Sequence, residues 1–115
     1  MRTWNLLDMD APNGTRDPLV LHSDDEARAV LIRIDAGQEL GEHQVKERAW
    51  VCVLEGTVHV RAAGDTLDAP AGTLLRFEAD ERRSIRSDDG ARILLLLAPW
   101  PGVGHYRGEH QAASA

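Results

Sequence analysis

Turn-forming residues divide this chain into short pieces, and that spacing constrains its fold more than any other feature. Clusters rich in glycine, proline, aspartate and serine recur at positions 35–37, 55–56, 63–65, 70–72 and 87–90. None of the runs between them carries the apolar repeat of an amphipathic helix. Many short strands with turns between them predict an all-β sandwich or barrel.

The apolar runs themselves predict strands at 19–22, 27–35, 49–54, 57–62, 66–68, 73–77, 84–86 and 92–97. Val58 and Val60 alternate with His59 and Arg61, so the valines are predicted to face the core and the polar residues to face outward. With positions 55–56 as the turn, 49–54 and 57–62 are predicted to form a hairpin. The strand at 92–97 is apolar on both faces, which is typical of a strand between layers or at an interface.

Length and composition indicate one domain. A chain of 115 residues that is 43% hydrophobic can bury one core and is too short for two. Residues 1–18 are turn-rich and are predicted to form an N-terminal arm, residues 19–98 the barrel, and residues 99–115 a C-terminal tail without periodic structure.

Charge and cysteine content exclude several classes of partner. The net charge is -6, and the basic residues are interleaved with acidic ones, so no nucleic-acid surface is expected. The single cysteine, Cys52, cannot form an internal disulfide and suits a reducing compartment. The N-terminus lacks the apolar region of a signal peptide, and the longest aliphatic run, 93–98, is too short to span a bilayer. These features predict a cytoplasmic protein that does not associate with membranes.

The stretch 37–56 resembles the first motif of the cupin superfamily, in which two glycines flank a His-x-His pair and a glutamate. Gly37, His43 and Gly56 fall on that pattern, whereas Val45 and Ala49 stand where the family has the second histidine and the glutamate. The resemblance covers residues 19–98 and implies a cupin-type double-stranded β-helix, the jelly-roll barrel.

The second cupin motif can be placed in two registers. If it starts at Gly64, Pro70 and Gly72 match but its histidine position is Leu75, inside a predicted strand. If it starts at Gly72, its proline, glycine, histidine and asparagine positions are Glu78, Asp80, Arg83 and Ser87. The second register is preferred, because the last strand at 92–97 then follows where the family has one.

In cupins the ligands of both motifs converge on one divalent metal ion, a mixed nitrogen and oxygen site. The corresponding residues here are His43, Val45, Ala49 and Arg83. One imidazole cannot hold a metal, and a protonated guanidinium repels it, so no metal cofactor is expected. The alternative is a divalent transition metal on His43 and Glu47, which share strand parity; two ligands plus water make a weak site.

The same resemblance implies a ligand-binding pocket inside the barrel, formed by His43, Glu47, Arg83, Val45, Ala49 and Val51. A buried Arg83 must meet a carboxylate, water or an anionic ligand. Two arrangements are open: a permanent bridge to Glu47 that fills the cavity, or a small anionic molecule held by Arg83 and His43. Trp50 and Cys52 alternate with Val51 and are predicted to face away from the pocket.

Two classes of function remain open from the sequence. The first is a non-catalytic module that binds a small molecule or serves as a dimeric scaffold, which the missing metal ligands favour. The second is an enzyme of the isomerase, lyase or oxygenase kind found among cupins, with His43 and a non-standard metal site. A homodimer is predicted because the run 93–97, with Trp50 and Trp100, offers more apolar surface than one barrel interior needs.

Overall fold

A computed structural model describes residues 1–10, 18–43 and 46–101, with the backbone alone for residues 41–43. The predicted all-β fold is confirmed, since the regular elements of the described residues are strands. Their bounds are β1 Leu19–Ser23, β2 Arg28–Ile34, β3 Glu39–His43, β4 Arg48–Ala62, β5 Asp65–Pro70, β6 Leu74–Phe77, β7 Arg83–Arg86 and β8 Ala91–Ala98.

The strands form two antiparallel sheets that share β4. In sheet A the order is β1, β2, β8, the first half of β4, and β6. In sheet B it is β3, β7, the second half of β4, and β5. The predicted jelly-roll barrel is therefore built around one 15-residue strand that belongs to both sheets.

The predicted hairpin between 49–54 and 57–62 is wrong, because β4 continues through Glu55 and Gly56 without reversing. Gly56 has φ +78°, and the register against β8 shifts between Val53 and Glu55. A positive φ at glycine serves a β-bulge as well as a turn. Here the bulge bends the strand from sheet A into sheet B, where Thr57 pairs with Pro70 of β5.

The sequence predicted the turn at 63–65 correctly but did not predict the strand β3. The hairpin turn at 63–65 is confirmed: Ala62 and Asp65 are paired, and Ala63 and Gly64 between them both have positive φ. That backbone is typical of a two-residue turn between twisted strands. One strand, β3, was not among those predicted from the sequence; it follows Gly37 and is paired with β7.

The core lies between the two sheets and consists of the inward residues of nearly every strand. The predicted alternation is confirmed in β4, where Val58 and Val60 are buried. The largest fully buried apolar side chains of this core are Ile34, Ile93, Val51, Val53 and Val58. Each contributes about 1.5–3 kcal/mol by leaving water, so this row supplies much of the folding free energy.

Ser87 is a buried polar residue that closes one end of the barrel. Its Oγ donates a hydrogen bond to the carbonyl oxygen of Thr57 at 2.9 Å and accepts one from the backbone N–H of Gly90 at 3.0 Å. The hydroxyl is thus both a donor and an acceptor, so its burial leaves no polar group unpaired. Ser87 therefore ties the turn between β7 and β8 to the middle of β4.

The first residues of the chain lie against sheet A. Arg92 of β8 donates hydrogen bonds to the carbonyl oxygens of Leu6 and Leu7, each at 3.2 Å, and also pairs with Glu55. The arm is thus held by its backbone. No helix in the described ranges has the length and apolar character needed to cross a bilayer.

Candidate ligand-binding site

A cavity of about 80 Å³ lies between the two sheets. Strands of both sheets contribute to its wall, and among the described residues all but one of the lining side chains are aliphatic: Ile32, Leu40, Val51, Ile85, Ile93 and Leu95, with Arg83 as the exception. The wall is apolar because inward positions of β2, β8 and β4 carry branched aliphatic residues. A cavity of this character binds a ligand through shape and through its one charged group.

Arg83 is the first residue of β7 and lies opposite two neighbouring strands. Its Cα is paired with that of His43 in β3 and with that of Ala62 in β4. The residue is only 4% exposed, so its guanidinium is inside the barrel. The ring of Phe77 covers one face of the guanidinium, with the Cζ of Arg83 at 4.9 Å from the ring centroid.

The Arg83 guanidinium has donors that the protein does not satisfy. Its Nε and Nη1 are buried, and within residues 1–10, 18–43 and 46–101 neither has a hydrogen-bond partner. Burial lowers the pKa of this guanidinium from its ordinary value, and the charge of Glu81 opposes that effect. An arginine nevertheless stays protonated at neutral pH. The barrel therefore contains a buried cation with two nitrogens that the described residues do not pair.

The ion pairs between described residues do not include one between Glu47 and Arg83. The predicted bridge is thus not formed, although Glu47 is buried as its strand parity suggested, at 1% exposed. Neighbouring surface pairs hold this end of the barrel together instead. Lys46 contacts Asp80 at 3.0 Å, and Arg48 contacts Glu78 at 3.7 Å, which joins the start of β4 to the turn before β7.

The other predicted pocket residues are distributed as follows. Val51 lines the cavity with Arg83. Ala49 is fully buried in the core beside it without lining it. The backbone of His43 lies opposite Arg83, whereas its side chain and the whole of Val45 are outside the described residues.

The backbone around 80–83 agrees with the preferred register of the second motif, which starts at Gly72. Asp80, at the glycine position of the motif, has φ +65°, a conformation in which glycine is favoured. Arg83, at the histidine position, is opposite His43. In the other register the histidine position is Leu75, which pairs with Val51 in sheet A, away from β3.

Of the four residues aligned with the cupin metal ligands, the structure describes the side chains of Ala49 and Arg83, and neither is a ligand for a divalent cation. Among the side chains that the structure describes, no three His, Cys, Asp or Glu lie together. Arg83 brings a buried positive charge to the place opposite His43, and such a charge repels a divalent cation. We therefore derive no chemistry through a metal at this site.

Sequence reasoning missed most of the cavity wall. The lining residues Ile32, Leu40, Ile85, Ile93 and Leu95 were not connected with the pocket from the sequence. A strand that is apolar on both faces, such as β8, gives no parity signal for which residues point inward. The stacking of Phe77 on Arg83 had no sequence signal either, because the two residues are brought together by the turn at 78–82.

The outer face of sheet B carries a row of charged residues across neighbouring strands. His59 of β4 pairs with Asp68 of β5 and with Arg86 of β7. Its Nδ1 is 2.6 Å from Asp68, its Nε2 is 3.1 Å from Asp88, and Asp88 also pairs with Arg86. The sequence predicted a solvated His59 on this face; the structure adds that both ring nitrogens meet carboxylates.

These contacts predict a pH-dependent contribution of His59 to stability. The hydrogen bond to Asp68 raises the pKa of the His59 imidazole above its ordinary value; the charges of Asp68 and Asp88 also raise it, whereas desolvation and Arg86 lower it. Since the folded-state pKa is raised, the contribution is present below about pH 6.5 and is lost as the pH rises through the folded-state pKa. Asp68→Asn should lower the His59 pKa, measured by NMR titration of the ring protons.

Asp65→Asn, at the start of the same strand, is the matched control for that titration and should leave the His59 pKa unchanged. A His59 titration that is the same in native protein and in Asp68→Asn would contradict the assignment of Asp68 as its main partner.

The outer face of sheet A carries a group of partly exposed apolar side chains. Trp50 and Leu96 are paired across β4 and β8, and both are partly exposed; Leu74 on β6 is 60% exposed. Arg76 lies over the Trp50 ring at 5.3 Å. The prediction that Trp50 and Cys52 face away from the cavity is confirmed, because Val51 between them is buried and lines it. The homodimer expected through this kind of surface stays a prediction.

Comparison with solved structures shows which fold this is. The chain is similar to an RmlC-like cupin from Desulfovibrio desulfuricans, with 24% identity, a TM-score of 0.75, and coverage of 86% of this chain and 97% of that one. An RmlC-like cupin from Shewanella frigidimarina is 20% identical, with a TM-score of 0.73 and coverage of 84% and 88%. A conserved protein of unknown function from Streptococcus pyogenes is 17% identical, with a TM-score of 0.72 and coverage of 84% and 86%.

No family model matches the chain, and no curated protein does. The structural similarities therefore show the fold of this chain and nothing about its function. The chain has the cupin fold, an all-β jelly roll.

Proposed function

We propose that this cupin-fold protein is a non-catalytic binding module that holds a small carboxylate-bearing molecule inside the barrel. The observation that carries the proposal is Arg83, a buried cation with two N–H-bearing nitrogens, Nε and Nη1, that find no acceptor among the described residues. A buried cation with unpaired donors costs several kcal/mol, and an anionic ligand that pairs those donors would offset that cost.

The geometry of the guanidinium favours a carboxylate among the anions. Phe77 covers one face of the group, so a ligand in the cavity meets its edges. An arginine edge presents parallel N–H donors that match the two oxygens of a carboxylate. The Nε edge and the terminal edge each contain one of the unsatisfied nitrogens, and a carboxylate at either edge would pair it.

The apolar wall favours an organic anion over an inorganic one. Apart from Arg83, the lining side chains that the structure describes are aliphatic and offer no hydrogen-bond donor or acceptor. A phosphate or sulfate ion has oxygens on all sides, and those turned toward Ile93 or Val51 would be desolvated without compensation. A carboxylate places both oxygens on one side and its carbon chain on the other.

The proposal is tested by calorimetric titration of acetate, butyrate, lactate and succinate into protein purified in chloride buffer. At least one of them should bind the native protein. Arg83→Met should weaken that binding at least tenfold, because a hydrogen bond to a charged group contributes about 1.5–3 kcal/mol. Glu47→Gln should leave binding unchanged or tighten it, since it removes a buried negative charge.

Arg61→Met is the matched control, because Arg61 lies on β4 with its side chain exposed on the outer face. It should bind the same carboxylates as the native protein does. Absence of binding by every carboxylate, or equal binding by Arg83→Met, would overturn the proposal.

A further inference from the structure

The N-terminal arm is held against sheet A at two places that differ in chemistry. At the inner anchor, Arg92 of β8 donates hydrogen bonds to the carbonyl oxygens of residues 6–7, where the chain is partly buried. At the outer anchor, Arg2 contacts His22 of β1, and the side chains of residues 1–5 are exposed. The first part of the arm is therefore held by a polar contact alone.

The outer anchor defines the protonation state of the His22 imidazole. Its Nε2 is 2.9 Å from Oδ2 of Asp24, and its Nδ1 is 3.0 Å from Nη1 of Arg2. A guanidinium only donates hydrogen bonds, and an ionised carboxylate only accepts them. The ring therefore carries its proton on Nε2 and accepts from Arg2 at Nδ1, so the two contacts exist together only while the imidazole is neutral.

Asp24 is a fixed acceptor in this arrangement. Its Oδ1 accepts hydrogen bonds from the backbone N–H groups of Glu26 and Ala27, at 2.8 Å and 3.1 Å. The bond from Glu26, followed by those from His22 and Ala27, lowers the pKa of Asp24 to about 2. An imidazole changes its charge in the range of about pH 5–8. Asp24 is ionised across that whole range, so the ring is the group of this anchor that changes charge.

Protonation of His22 removes the acceptor that Arg2 uses. The Nδ1 of an imidazolium carries a proton, so the ring and the guanidinium become two donors of like charge facing each other. Asp24 keeps its contact with Nε2 and favours the charged ring. The outer anchor is therefore lost on acidification.

Other charged groups near the ring do not restore the contact. Arg28 of β2 donates a hydrogen bond to Oγ of Ser23 at 3.5 Å and adds a further positive charge. Asp25 and Glu26 belong to the turn after β1, and within the described ranges neither side chain pairs with His22. The inner anchor joins a guanidinium to carbonyl oxygens, which keep their charge and their bonding roles between about pH 5 and 8.

We propose that the N-terminal arm is a pH-operated strap: residues 1–4 lie against β1 while His22 is neutral and detach when it is protonated, whereas residues 6–7 stay on β8. Trp4 belongs to the part that detaches, because the Arg2 guanidinium lies over its ring at 5.0 Å from the centroid. Detachment uncovers the outer side of β1 around His22. This strap acts independently of the carboxylate site.

The experiment measures backbone order parameters of the full chain by ¹⁵N NMR relaxation at about pH 7.5 and about pH 5. Residues 2–4 should have values of about 0.85 at the higher pH and below about 0.6 at the lower pH. The midpoint of this change should coincide with the titration of the His22 ring protons. Residues 6–7 should stay ordered, and Ile32 and Ile93 should report that the barrel remains folded.

Three variants assign the change to the outer anchor. His22→Gln retains an oxygen acceptor and cannot titrate, so the order of residues 2–4 should no longer depend on pH. Arg2→Met should leave residues 3–4 mobile at both pH values. His59→Gln is the matched control, because it removes an imidazole on the outer face of sheet B, and it should keep the pH response of the native arm.

Equal order parameters of residues 2–4 at the two pH values in the native protein would overturn the strap, as would a pH response that persists in His22→Gln. Ordered residues 3–4 in Arg2→Met at about pH 7.5 would overturn the role of Arg2. Loss of order at residues 6–7 together with residues 2–4 would overturn the division into two anchors.

Discussion

Gly56→Ala should lose at least about 3 kcal/mol of folding free energy, the largest single-methyl effect expected in this protein. Gly56 has φ +78°, and a Cβ on it would lie 2.3 Å from the carbonyl oxygen of Gly90 and 3.0 Å from the Cα of Ala91. Both contacts are with backbone, which cannot move without separating β4 from β8. Urea denaturation followed by tryptophan fluorescence measures the loss.

Gly64→Ala is the control that separates the cost of a positive φ from the cost of the steric clash. Gly64 has φ +83°, and a Cβ there would meet no atom within 4 Å. Gly64→Ala should therefore lose only the free energy that the left-handed backbone costs an alanine, about 1–2 kcal/mol. Equal losses for Gly56→Ala and Gly64→Ala would contradict the close approach of β4 and β8 at the bulge.

Arg83→Met should have the opposite sign and raise the free energy of unfolding by about 1–3 kcal/mol when no carboxylate is present. The substitution removes a buried charge and the two unsatisfied nitrogens while keeping an unbranched chain of similar length against Phe77. Removal of an unpaired buried polar group stabilises because its desolvation is no longer required. Urea denaturation in chloride buffer tests it.

Arg61→Met, on the exposed side of β4, is the control and should stay within about 0.5 kcal/mol of the native protein. Destabilisation of Arg83→Met by 2 kcal/mol or more would show that the guanidinium is satisfied within the protein. A variant that is more stable yet no longer binds carboxylate would separate a binding role from a structural one.

The fold was largely predictable because alternation and turn residues are local signals. The valines of β4 and the turn at 63–65 were placed correctly on that basis. Gly56 was misread because a glycine with positive φ is required both in a hairpin turn and in a bulge. The choice between them depends on whether β8 lies alongside both halves of the strand, and that is a contact with residues far along the chain.

The candidate site was predictable only in part. The cupin spacing identified Arg83, and strand parity identified Val51, which does line the cavity. Parity also placed Glu47 inside the barrel, yet it could not give the distance between two side chains on different strands. Residue spacing alone therefore could not establish the bridge to Arg83, and the structure does not contain it.

The strand order has a consequence for how the chain is made. β2 pairs with β8, and β3 pairs with β7, so paired residues lie from 40 (His43 and Arg83) to 69 (Arg28 and Leu97) positions apart in the chain. A ribosome adds that many residues in roughly 2–14 s. During that interval Val30, Ile32 and Ile34 have been synthesised but lack β8, their hydrogen-bonded neighbour in sheet A. The nascent chain must therefore expose an apolar segment for seconds, a period in which a chaperone could bind it.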